Sequence, residues 1–235
     1  MIEVKRELIS NFLSLKKTSP NSLAWSLGTL LVCYIMSSLY WGSDWSHLLA
    51  ASGENVFLKN DWYRLFTSTF VHGDLEHFLS NSLMLVIMGH YVHYHFGAKL
   101  FPLVAFLSGA IINFIVILNL PEKTHLVGAS GVVHWLWGFW FILYFKVQRH
   151  IPLTRRIMKI VIVGLVILFP TKLSPNVSYL AHFVGLLLGM ITGLFYYYLN
   201  AKNLHSFEQW KSVITVIDPE YEREALGASE NDNSI

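Results

Sequence analysis

Only a few side chains in this sequence have the type and placement to do chemistry, and two of them make a reactive pair if they meet. Ser130 and His182 each stand near the start of a long apolar run. A hydroxyl becomes a nucleophile when a general base lies within hydrogen-bonding reach, and imidazole is the base most often used. Ser130 sits in Gly128-Ala129-Ser130-Gly131. Glycines on both sides of a serine at a helix start let a substrate backbone come close, and they leave peptide N–H groups aimed at a developing oxyanion. His77 and Asn81, one helical turn apart, supply further donors for the same oxyanion. No carboxylate lies in either apolar run to orient His182, so a Ser-His dyad is the economical reading, rather than a triad.

These residues must be positioned by apolar elements. Of the 235 residues 54% are hydrophobic and 14% charged, which is outside the balance of a soluble domain. Six apolar segments stand out: Leu23 to Trp41, His77 to His95, Leu100 to Leu120, Gly128 to Phe145, Ile157 to Phe169 and Val177 to Leu199. Helices are expected for all six, because barrel strands would alternate in segments of about ten residues. The fold class is therefore all-α, a polytopic membrane bundle of six transmembrane helices. The division is a polar N-terminal tail over 1–22, a membrane domain over 23–200 with an aromatic outer-leaflet loop at 42–76, and a C-terminal tail over 201–235. Phe207, Trp210, Val213, Ile214 and Ile217 have mixed helical spacing and suggest a helix along the interface. From position 218 six acids face one arginine, and disorder is expected there.

Thirteen of the seventeen Lys and Arg residues fall on the side shared by the two termini in a six-span arrangement, which makes that side cytoplasmic. Spans two, four and six then begin at the outer face. His77, Asn81, Ser130 and His182 consequently share one depth just below it. Ser130, His134 and Gly138 recur every four residues on one helix. His182, Gly185, Gly189 and Gly193 recur on the other, a spacing that lets helix backbones approach closely in lipid. A single intramembrane histidine or serine more often serves packing than catalysis, and His72 reads as structural. It is the joint pattern that points to a site. His90, His93 and His95 cluster at the far end of the second span. No carboxylate or cysteine completes a metal site there, so neither metal nor cofactor is expected. The single cysteine, Cys33, reads as a small buried apolar residue.

Together these residues resemble the rhomboid family of intramembrane proteases. The matching pieces are Tyr63-Arg64-Leu65-Phe66-Thr67-Ser68, then His72-x4-His77-x3-Asn81, then Gly128-Ala129-Ser130-Gly131 with Gly138, and finally Ala181-His182-x2-Gly185-x3-Gly189. The resemblance implies that Ser130 is the nucleophile and His182 the base. It implies an oxyanion hole of His77, Asn81 and the Ser130 backbone N–H, and an outer loop held by Arg64 and His72. Gly128, Gly131, His134 and Gly185 would support them. It further implies cleavage of single-pass transmembrane proteins near the outer membrane face, with the lipid bilayer and no nucleic acid as partner, in a bacterial inner membrane. Three positions depart from the family: Tyr63 where tryptophan is frequent, His93 where glutamate is frequent, and His134 where tyrosine often packs on the catalytic histidine. Two other classes compete. A proteolytically silent relative that binds transmembrane clients would usually lack the serine or the histidine. A transporter should show paired intramembrane carboxylates or an inverted repeat.

Overall fold

The computed structural model describes residues 2–15, 21–42, 45–168 and 177–216. In chain order its elements are β1 (Ile2–Ser10), α1 (Ser22–Gly42), α2 (Ser46–Leu49), α3 (Arg64–Thr67), α4 (Leu75–Phe96), α5 (Ala105–Ile117), α6 (Ser130–Val147), α7 (Leu153–Leu168), α8 (Tyr179–Ser206) and β2 (Gln209–Val216). Two π-type segments, Glu54–Leu58 and Lys99–Val104, lie between α2 and α3 and ahead of α5. The chain forms two compact units, one of residues up to 15 with those from 202 on, the other of 16–201.

The larger unit is helical. Among the described residues, Ser22–Gly42, Lys99–Ile117 and Tyr179–Ser206 are long and apolar enough to cross a membrane. α4 starts and stops where the sequence gives a local reason. Asp74 caps α4, its carboxylate accepting the His77 N–H at 2.7 Å, and the same helix ends at Gly97, whose φ of +79° suits glycine. α6 is the enclosed helix, with Trp135, Leu136, Phe139 and Leu143 fully buried. Around it, Leu31 and Ile35 of α1, Leu165 of α7 and Phe195 and Leu199 of α8 are exposed. An apolar exterior around a sealed apolar helix is what lipid requires. α7 extends four residues ahead of the apolar run that begins at Ile157, drawing Leu153 to Arg156 into the helix.

The contact between α6 and α8 is made by backbone. A Cβ on Gly185 would fall on the carbonyl oxygen of Gly131, one on Gly189 on that of Trp135, and one on Gly138 on that of Leu186. At Gly193 a Cβ would stand 2.8 Å from the Phe139 oxygen. The two small-residue recurrences therefore face each other along the pair.

The smaller unit corrects two expectations. β1 and β2 pair antiparallel, Val4 opposite Ile214 and Leu8 opposite Trp210, so the chain is mostly helical and not all-α. The segment Phe207 to Ile217, expected to be an interfacial helix, holds strand β2 instead. Val213, Ile214, Thr215 and Val216 form a β-branched run that favours an extended chain, and its partner strand lies some two hundred residues away, beyond the reach of local periodicity. The expected disorder after position 218, and Phe169 at the end of the fifth segment, lie outside the described residues.

Replacing Gly185 by alanine should lower membrane-domain stability by about 1–3 kcal/mol, the usual cost of overpacking. Gly28→Ala, on a face with no atom within 4 Å, should leave stability unchanged or slightly raised. Thermal unfolding in detergent reads both, and equal Tm values for the two variants would contradict a backbone contact at Gly185.

Candidate active site

The segment that delivers Ser130 is tied down residue by residue. Leu126 exchanges backbone hydrogen bonds with Ala51, at 2.7 and 3.2 Å. The Gly128 N–H donates to the Ser68 carbonyl at 3.0 Å, and the Ala129 N–H to His72 Nε2 at 3.4 Å. Gly128 has φ +127°, and a Cβ there would stand 2.8 Å from His77 Cε1. Only glycine meets both conditions. The next helical residue, Ser130, then opens α6.

His72 joins three parts of the molecule. Its own N–H donates to Ser37 Oγ of α1 at 3.0 Å, and Nδ1 lies 3.2 Å from the same oxygen. Because Nε2 accepts from Ala129, the proton belongs on Nδ1, which donates to Ser37, while the Ser37 hydroxyl donates to the Phe70 carbonyl at 3.4 Å. Every donor then has an acceptor only if the ring is neutral. Burial, reinforced by neighbouring His77 and opposed by Asp74, pushes the His72 imidazole down to about 3. His72, read from the sequence as structural, ties the first long helix to the segment carrying Ser130.

On the other side of Ser130 the His134 and His182 rings stack with centroids 4.0 Å apart and planes 11° from parallel. The Tyr179 and His182 rings stand nearly perpendicular, with centroids 6.0 Å apart. His134 Nδ1 lies 2.8 Å from the Ser130 carbonyl, which can only accept, so Nδ1 carries the proton and the ring is fixed to its own helix. Among the described residues no hydrogen bond joins Ser130 to His182. Such bonds are often long before substrate binds.

Ser130, Gly128, His77, Asp74, Asn113, His125 and Ser178 line a cavity of about 430 Å³. The His77 and His72 rings meet edge to face at 5.2 Å. Asn81 turns one amide N–H to the His77 carbonyl at 3.0 Å; a carboxamide has a second. Arg64 is buried and holds Asp61 through Nε and Nη2 at 2.8 and 2.6 Å. Asn113 of α5 donates to the Leu65 carbonyl at 3.1 Å and to Ser68 Oγ at 2.9 Å. Trp62 and Phe57 reach Phe114 of the same helix at 6.3 and 6.1 Å. These contacts seat the loop on α5. Leu58, Trp62, Tyr63 and Phe66 remain exposed, which suits a loop in contact with lipid.

Ser37, Asp61, Asp74 and Asn113 were missed by sequence reasoning. Asp74 had a readable signal, an N-cap residue three positions before His77. Asn113 was an amide inside an apolar run. Ser37 and Asp61 had none. His90, His93 and His95 lie at the other end of α4, away from this cavity. His93 stacks on Trp25 at 5.7 Å, and neither of its ring nitrogens has a partner among the described residues.

Comparison with known proteins agrees with this architecture. The Rhomboid domain family matches residues 59–199, and the chain belongs to the rhomboid family, whose members are polytopic helical membrane proteins. "Putative rhomboid protease YdcA" of Bacillus subtilis (strain 168) is 27% identical over 141 residues, 60% of this chain and 70% of that one. "RHOMBOID-like protein 9, chloroplastic" of Arabidopsis thaliana is 30% identical over 95 residues, 40% of this chain but 21% of that protein.

The neutral His72 gives stability a definite pH dependence. Between the ordinary value of 6.5 and the folded value of about 3, the unfolded chain takes up a proton that the folded chain refuses. Stability should therefore fall as the pH drops from about 6.5 toward 3. Thermal unfolding of wild type and His72→Gln at neutral and acidic pH checks this. The acid loss should be smaller in the variant, and an identical loss would contradict a neutral His72.

Proposed function

We propose that the protein is an intramembrane serine endopeptidase that cuts transmembrane segments of single-pass membrane proteins through Ser130 and His182. The observation that carries this reading is the convergence at the start of α6. There Ser130 opens a helix whose backbone touches α8 at Gly131 and Gly185, one turn from the stacked His134–His182 pair, at the wall of a cavity that Asp74, His77, Asn113 and Ser178 also line.

In the reaction, a substrate helix enters from the bilayer, unwinds and presents an extended backbone. His182 takes the Ser130 proton as Oγ attacks the scissile carbonyl. The oxyanion is received by the Ser130 N–H, His77 and the free N–H of Asn81. Protonated His182 then gives its proton to the leaving amine. Water entering through the cavity attacks the acyl-enzyme, again with His182 as base, and Ser130 is regenerated. Helical peptide bonds are shielded and hydrogen-bonded, so segments weakened by glycine are the preferred substrates. His134 acts as a flat platform for the His182 ring, since its own N–H is committed to the Ser130 carbonyl.

Six spans, both termini in the cytoplasm and a site beneath the outer face of a bacterial inner membrane complete the proposal. The pairing of β1 with β2 supports an even number of spans, because two strands from opposite ends of the chain can pair only on one side of a bilayer. The presence of both Ser130 and His182 favours an active enzyme over a silent client-binding relative.

Purified chain in liposomes with a glycine-containing single-pass substrate tests the assignment. Ser130→Ala should reduce cleavage by about a thousandfold or more while the variant still folds, and undiminished cleavage would remove Ser130 from the reaction. His134→Tyr should keep activity. His134→Ala should lose roughly tenfold, the worth of one aromatic stack; equal activity of Tyr and Ala variants would contradict the platform role.

A further inference from the structure

The sheet formed by the two tails carries a face that catalysis does not use. Side chains alternate along a strand and directly paired residues share a face. Val4, Arg6 and Leu8 therefore stand on the same side as Ile214, Ser212 and Trp210, their register partners. On that face Val4 is 61%, Ile214 65% and Trp210 48% exposed. Lys5, Glu7 and Lys211 occupy the other side together with Val213, and the exposed Ile9 lies at the irregularity between Leu8 and Ser10. A two-stranded sheet is at best marginally stable alone in water, so an uncovered apolar face of this kind calls for an apolar partner.

The chain itself indicates which partner. At about 1.5 Å per residue the 28 residues of α8 extend roughly 42 Å, close to the 40–45 Å of a bilayer with its headgroups. β2 starts at Gln209, three positions past the end of α8 at Ser206. β1 ends at Ser10 and α1 starts at Ser22. Each strand is thus joined by a short stretch of sequence to a helix long and apolar enough to cross a membrane. The charge pattern agrees. The apolar face carries one cation, Arg6, and no acid, while Glu7 points away. The neighbouring acid, Glu208, is taken by His205 Nδ1 at 2.7 Å and by the Trp210 indole N–H at 3.2 Å. An apolar face with a tryptophan and an arginine suits an interface of anionic phospholipid.

We infer that the Val4–Leu8–Trp210–Ile214 face of the sheet docks on the phospholipid surface of the membrane that holds the helical unit, with Arg6 among anionic headgroups. This does not depend on proteolytic activity. The test uses the full chain in vesicles of phosphatidylcholine with phosphatidylglycerol, with Cys33 replaced by alanine and a spin label placed at Ile214→Cys, Val4→Cys or Lys5→Cys. The labels at 214 and 4 should collide readily with oxygen and be protected from a water-soluble nickel chelate, giving an oxygen-to-nickel ratio several-fold above that at position 5. Arg6→Glu should bring the ratio at 214 down toward the value at 5. Equal ratios at all three positions would overturn the proposal. So would a label at 214 shielded from both reagents, with spectral broadening that vanishes on dilution with unlabelled chain, since a second copy would then cover the face.

Discussion

Carbonyl oxygens of α6 lie where side chains would otherwise stand on α8, and the arrangement of the site follows from that contact. Because Gly185 and Gly189 leave room for the Gly131 and Trp135 carbonyls, the two helices run with almost no side-chain layer between them. The start of α6 and the start of α8 are then brought to one level. Without that approach, Ser130 and His182 would be two unrelated polar residues in lipid, each in need of its own partner.

A close helix pair fixes depth and distance but not the direction of the serine. That is supplied by the segment ahead of α6, held through Leu126, Gly128 and Ala129 to a loop that is itself anchored on α1 by Ser37 and His72 and on α5 by Asn113. All of these ties are hydrogen bonds inside an apolar surrounding, where an unmet donor or acceptor is expensive. Losing one therefore disturbs the others. The Arg64–Asp61 pair adds a charge contact at the far side of the same loop, between a buried guanidinium and a partly exposed carboxylate.

Legibility in the sequence divided along the same physical line. Features that repeat within one helix could be read: the glycine recurrences, the position of His134 one turn after Ser130, and the polar residues near the starts of apolar runs. Features that depend on a partner far along the chain could not. Ser37 is one serine among several in α1 until His72, thirty-five positions on, gives it a role. β1 and β2 join the two ends of the chain, so their pairing could not be read locally; the β-branched run from Val213 to Val216 favoured an extended chain, but the mixed apolar spacing around it was read as helix. The departure at His134 was visible, whereas its fixed tautomer required the Ser130 carbonyl to be placed.

The central claim is that Ser130 is an activated nucleophile whose base is His182. It is tested most directly by labelling the full chain in detergent with a serine-reactive phosphonate fluorophore. Wild type should become covalently labelled, Ser130→Ala should not, and His182→Ala, folded by the criterion of thermal unfolding, should label far more slowly. Equal labelling of wild type and Ser130→Ala, or labelling unaffected by His182→Ala, would contradict the account.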